Sequence, residues 1–234
     1  MLTPRHNVAI QLDEIRKHLF NWGKSFIAFT LCFYPFNQKL YQILATPLML
    51  DKPHVIIATQ VISPFTTPLK LCLFSAFCLS MPILLWQLWL FLQPALKDKE
   101  KIFLANIMTF GTLFFAIGIG FCWLYVLPNT LAVFQKLTPS NVVYMPDMQA
   151  YLDFALTLLI AFGLCFEFPV LLIAMTKLNI VSIKTLQNKR REVIVASFVI
   201  AMLLTPPDVT SQIMLAIPMW LLFELSLILC KMLD

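Results

Sequence analysis

Residues 152–176 read LDFALTLLIAFGLCFEFPVLLIAMT, an apolar run interrupted only by the acidic side chains of Asp153 and Glu167. About 20 residues at about 1.5 Å each carry a helix through the roughly 30 Å hydrocarbon core of a bilayer, so this stretch can span one. Outward from it, further apolar runs lie at 19–36, 69–93, 103–128, 193–206 and 211–229. Six runs leave no room for a sizeable soluble domain, and residues 1–234 are expected to form a single membrane domain. The chain is 60% hydrophobic and 12% charged, with a mean hydropathy of +0.83, against roughly 25% charged residues in soluble domains. It has 21 Phe, 15 Pro and 5 Gly and no alternating ten-residue segments, which favours helices over an outer-membrane barrel. The fold class expected is all-α and polytopic, with six transmembrane helices.

The net charge of +5 would point to nucleic acid in a soluble chain, but its distribution here is topological. Twelve of the 17 Lys and Arg fall before the first run, at 94–102, at 177–192 and in the tail. Lys39, Lys52, Lys70 and Lys136 lie on the other side, and Lys24 sits inside the first run. The positive-inside rule then places both termini in the cytoplasm. The N-terminal segment shows no small-residue cleavage site and does not resemble a removable signal peptide.

The outward segments are unequal. Residues 37–68 form a long outer cap, in which Tyr41–Leu44 followed by Pro47 is expected to be a short amphipathic helix. Ser63-Pro64-Phe65-Thr66-Thr67-Pro68 is expected to be a rigid lead into the second span. The fifth run, Val193–Thr205, reaches only about 20 Å as a helix, held between Arg190-Arg191 and Pro206-Pro207. The last two helices are therefore expected to be short, so that the bilayer thins or a neighbour covers the gap.

Glu167 lies deep in the fourth run, where an ionised carboxylate costs about 3 kcal/mol or more. It is either a protonated group bonded to a neighbouring helix or a polar anchor for a partner; Glu224 poses the same question nearer the cytoplasmic end. Glu14 and Glu100 are acidic exceptions on a basic surface. They are either solvated loop charges or, if they converge, an anionic site suited to a guanidinium held bidentately. The six Cys lie in or beside apolar runs without Cys-x-x-Cys spacing and read as packing residues. His6, His18 and His54 make no constellation, and no metal-ligand, nucleophile-elbow or phosphate-loop motif occurs, so neither an enzyme nor a cofactor is expected.

Six segments in order carry a family resemblance over nearly the whole chain: LDEIRKHL at 12–19, ATPL at 45–48, SPFTTPLK at 63–70, WQLWLFLQPALKDKE at 86–100, FGLCFEFPV at 162–170 and MLLTPPDVTSQIMLAIPMWLLFE at 202–224. The chain resembles TatC, the polytopic core of the twin-arginine protein translocase. The resemblance implies export of folded proteins on the proton-motive force, in a bacterial cytoplasmic (inner) membrane or, as the alternative, that of an organelle. It implies that Glu14 and Glu100, with Arg16 and Phe91, receive the Arg-Arg pair of a signal peptide. It implies that Met202, Thr205 and Gln212 line a site for the single-span partners TatA and TatB. Glu167 would be an intramembrane polar contact, and Pro47, Ser63, Pro64 and Phe65 a supporting outer cap. Other copies of the chain and the lipid bilayer complete the implied partners. The rivals are a secondary transporter using Glu167 and Glu224 at the midplane, and a structural scaffold indifferent to Glu14 and Glu100.

Overall fold

A computed structural model describes residues 4–49, 57–93, 98–139, 142, 145–178, 180–204 and 209–233. Among these the chain is helical, with one isolated bridge between Ile57 and Asp147 and no strand. The first apolar run belongs to α1 (Pro4–Phe33), which starts well before it because the charged LDEIRKHL segment continues the same helix. Inside the run, Lys24 places its ammonium 4.8 Å from the Phe20 ring centroid, one turn toward the N-terminus of α1. A single 3₁₀ turn, Tyr34–Phe36, leads into α2 (Asn37–Met49), the short helix anticipated around Tyr41–Leu44.

Ser63–Pro68 is not a lead-in but the opening of α3 (Ser63–Leu92), with Pro64 in the first turn, where a missing N–H costs nothing. Next comes α4 (Asp98–Phe121), which continues through one π turn, Cys122–Val126, into α5 (Leu127–Leu137). Pro128 cannot donate to the Leu124 carbonyl and its ring crowds it, so the helix widens instead of stopping. Asn129 Nδ2 donates to the Tyr125 carbonyl at 2.7 Å and Thr130 Oγ1 to that of Val126 at 2.8 Å, supplying bonds the wide turn disturbs. The 37-residue apolar stretch Lys101–Leu137 is about 55 Å long. It outruns a roughly 30 Å core, and its outer end supports α2, with Leu44, Leu127 and Leu131 in one buried cluster.

The 152–176 run is two helices, α6 (Met148–Phe166) and α7 (Phe168–Lys177), broken at Glu167 by the proline that follows. A short α8 (Ile183–Asn188), capped by the Ser182 hydroxyl, precedes the hairpin of α9 (Arg190–Leu204) and α10 (Val209–Leu233). At 15 residues, α9 reaches about 22 Å and is short as expected. The expectation that the last helix is short as well does not hold: α10 has 25 residues, about 37 Å, because the helix continues past both ends of the 211–229 run. Among the described residues, four helices are long and apolar enough to cross a membrane: Ser63–Phe91, Lys101–Leu137, Met148–Lys177 and Gln212–Met232.

The core sits where α6 runs between α4 and the outer cap, with Leu152, Ala155, Leu159 and Phe162 enclosed. Close approach of α4 to α6 depends on glycine. A Cβ on Gly118 would lie 2.7 Å from the Phe162 carbonyl oxygen and 2.8 Å from Phe166 Cβ. Cys72, Cys122 and Cys230 are buried packing residues, whereas Cys32 is exposed on α1.

Candidate functional site: a groove at the Lys- and Arg-rich end and a cap at the other

Antiparallel packing of α1 on α3 is fixed by two side-chain bonds: His18 Nδ1 to Gln87 Oε1 at 2.6 Å, and Trp22 Nε1 donating to Ser80 Oγ at 3.1 Å. Toward the N-terminus of α1 the two helices enclose a cavity of about 180 Å³ lined by Ile15, His18, Leu19, Leu84, Gln87, Leu88 and Phe91. Glu14 lies four residues before His18, so it rides on the same face one turn nearer the end of the groove. The antiparallel register carries Phe91, one turn beyond Gln87, to that level.

Glu14 and Arg16 are both exposed. Arg16 meets Asp13 at 3.9 Å, with side chains 82% and 66% exposed, too solvated to contribute much. Glu100 is in the first turn of α4, and its side chain lies outside the described residues, so its approach to Glu14 is not defined. Trp89 Nε1 donates to the Lys101 carbonyl at 3.3 Å, which ties the end of α3 to the start of α4.

Glu167 occupies the junction of α6 and α7, with its backbone N–H donating to the Leu164 carbonyl at 3.1 Å. One carboxylate oxygen, Oε1, is buried without a hydrogen-bond partner among the described residues. The other lies only 2.8 Å from where a Cβ on Gly111 would sit, beside Leu85 and Val170. The carboxyl thus occupies a notch in α4 that only glycine leaves open. Glu224 is engaged elsewhere, accepting a bond from Arg190 Nη2 at 2.8 Å between α10 and α9. That leaves only Glu167 of the two carboxylates the transporter alternative requires.

On the hairpin, Gln212 Nε2 donates to the Phe198 carbonyl at 3.1 Å and braces α10 against α9. Met202 is exposed, and Thr205 lies outside the described residues, as does the side chain of Pro47. In the cap, Ser63 is fully buried and its hydroxyl donates to Gln149 Oε1 at 3.2 Å, while Pro64 and Phe65 are exposed.

The sequence reading missed the group that organises this cap. Asp147 Oδ1 accepts from the N–H groups of Gln149 and Ala150, at 2.9 and 3.0 Å, as the N-cap of α6. Its Oδ2 accepts from the Thr59 hydroxyl at 2.6 Å and the Thr59 N–H at 3.0 Å. These bonds, led by the Thr59 hydroxyl, hold its carboxyl down at about 2 against an ordinary 3.8. An Asp just before an apolar run is a recognisable N-cap signature, whereas its pairing with Thr59 is not local. Nearby, Lys70 Nζ reaches both Asp153 oxygens at 2.6 and 2.9 Å, and Tyr151 donates its hydroxyl to the Leu44 carbonyl at 2.7 Å.

Stacked apolar helices, a stitched cap at one end and a carboxylate-edged groove at the other define a polytopic membrane protein. The chain belongs to the TatC family: residues 11–218 match the family described as Sec-independent protein translocase protein (TatC). It is 40% identical to the TatC protein of Haemophilus influenzae over 94% of this chain and 87% of that one. Against the TatC protein of Escherichia coli K12 it is 39% identical over 92% of this chain and 84% of the relative. A crystal structure described as the twin arginine translocase receptor TatC superposes with a TM-score of 0.85 at 30% identity, covering 94% of this chain and 98% of the other. It is accordingly a membrane-embedded component of a protein translocase.

Proposed function

We propose that this chain is the signal-peptide receptor and core of a twin-arginine translocase in a bacterial cytoplasmic membrane. The observation that carries the reading is Glu14 standing exposed at the end of an apolar groove walled by Phe91, in a chain of this family. A carboxylate beside an apolar cleft matches a peptide whose paired guanidinium groups precede a hydrophobic segment. Glu14 and Glu100 bind the Arg pair, Arg16 and Phe91 complete the patch, and the hydrophobic segment then inserts along the spans.

Met202, Thr205 and Gln212 face the helices of TatA and TatB subunits, and Glu167 supplies a polar contact within the membrane. The exposure of Met202 supports this site. Pro47, Ser63, Pro64 and Phe65 hold the outer cap, further copies of the chain join the complex, and the proton-motive force drives export of folded cargo.

The test is crosslinking of a photoreactive Arg-Arg signal peptide to membranes containing the full chain. Glu14→Ala, Glu100→Ala and a Lys-Lys peptide should each reduce crosslinking about tenfold or more, the worth of one charge-assisted hydrogen bond. Undiminished crosslinking in all three would mean that the carboxylates are ordinary loop charges.

A further inference from the structure

Apolar walls that face each other across an empty groove gain by closing, because contact restores dispersion and close packing. The groove between α1 and α3 has such walls, Ile15 and Leu19 on one side and Leu84, Leu88 and Phe91 on the other, yet about 180 Å³ stays open between them. Its two polar residues are His18 and Gln87, whose side chains meet end to end, Nδ1 to Oε1 at 2.6 Å. We propose that this pair is a strut: it sets the spacing of α1 from α3, keeps the groove open and so positions Glu14 for an arriving guanidinium. The inference rests on the groove being the peptide site.

Every described residue that lines the groove belongs to α1 or α3, so among the described residues no third helix props it. Neither His18 nor Gln87 has another hydrogen-bond partner among the described residues. One turn further along α1 the helices are tied differently: Trp22 Nε1 reaches Ser80 Oγ at 3.1 Å, a long side chain against a short one, with Ser80 fully buried. At His18 both partners are long, and an imidazole placed end to end with a carboxamide cannot shorten without losing the bond. Losing it strands a part-buried donor and acceptor, which costs more than the bond itself contributes, so the walls do not trade it for contact. Glu14 is exposed, one turn before His18 on the same face, and its place over the groove follows from where His18 is held. His18 and Gln87 are thus positioning residues.

The test uses the full chain in membranes and the photoreactive Arg-Arg peptide. His18→Leu and Gln87→Leu should each reduce crosslinking about tenfold, the effect of stranding one polar partner. The variant carrying both leucines should crosslink as poorly as either alone, although its melting in detergent matches wild type, because replacing both partners by apolar groups of like size is nearly neutral. Exchanging the pair, His18→Gln with Gln87→His, should restore most of the crosslinking. A second readout needs no peptide. In a Cys32→Ala background, Ile15→Cys and Phe91→Cys stand on opposite walls, and a disulfide requires their Cβ atoms to come within about 4 Å. Oxidation should be slow with the strut in place and several times faster with both leucines. Full crosslinking by the double-leucine variant, no gain from the exchanged pair, or equal oxidation in the two backgrounds would overturn the strut. A wild type that takes Arg-Arg and Lys-Lys peptides equally would overturn the peptide reading instead, and the disulfide arm would still decide the strut.

Discussion

Two side chains show how much a single position decides. Asp147 joins the start of α6 to the segment around Thr59, and its carboxyl is depressed to about 2 from 3.8. A carboxylate with a lowered folded value stabilises the fold above its unfolded value and loses that contribution as pH falls through the folded one. Exchange of the Ile57 and Thr59 amides, taken relative to the intrinsic rate at each pH, should therefore be slow at pH 5 and become fast between about pH 4 and pH 2. Asp147→Ala should show the fast exchange already at pH 7 and no step below it. Gly118 makes the complementary point without charge. A methyl there must displace the Phe162 carbonyl or separate α4 from α6, whereas nothing lies within 4 Å of a Cβ on Gly23. Gly118→Ala should lower stability in detergent by about 1–3 kcal/mol, as overpacking does. Gly23→Ala should be neutral or slightly stabilising, as Ala favours helix. Equal melting of the two variants would show that the close approach at Gly118 is unimportant.

At the scale of the element, the terminal hairpin is unequal, with α9 at 15 residues beside a 25-residue partner. A helix of about 22 Å in a roughly 30 Å core obliges lipid or neighbours to adapt around it. Inserting one four-residue apolar turn after Ile200 adds about 6 Å. It should impair export while leaving signal-peptide crosslinking intact, and unchanged export would rule out membrane thinning as part of the mechanism. The shortness of this helix was legible from Arg190-Arg191 and Pro206-Pro207, because charges and prolines act locally. The break at Glu167 was not anticipated, because 152–176 was read as one span although Pro169 stands inside it. In contrast, Pro128 looked like the end of a span, yet the helix passes through it, because a π turn with Asn129 and Thr130 bonding disturbed carbonyls is an alternative to termination. The ion pair of Lys70 with Asp153 and the reach of Asp147 to Thr59 join residues more than 80 positions apart. A single sequence gives no register for such pairs, so Lys70 could be read only as a topological charge. For the same reason the groove between Ile15 and Phe91 was invisible, although its acidic edge, Glu14, stood out among basic neighbours.

At the scale of the whole molecule, function depends on which end faces the cytoplasm. The α1–α3 groove and the Arg190–Glu224 pair lie at the Lys- and Arg-rich end, and the Asp147 cap at the other. A receptor for a peptide made in the cytoplasm works only if Glu14 is on that side, so orientation is a condition of the proposed mechanism and not a detail of it. Lys136, in the last turn of α5, and Lys184, in α8, are both exposed and report on opposite ends. In a Cys32→Ala background, where the exposed native thiol is removed, Lys136→Cys should react with a membrane-impermeant maleimide in intact cells. Lys184→Cys should react only after permeabilisation. Cys72, Cys122 and Cys230 are buried and should stay silent in both conditions. The reverse pattern would put Glu14 outside the cell, where no Arg-Arg peptide arrives before export. The groove would then need another ligand even if every contact described for it is correct.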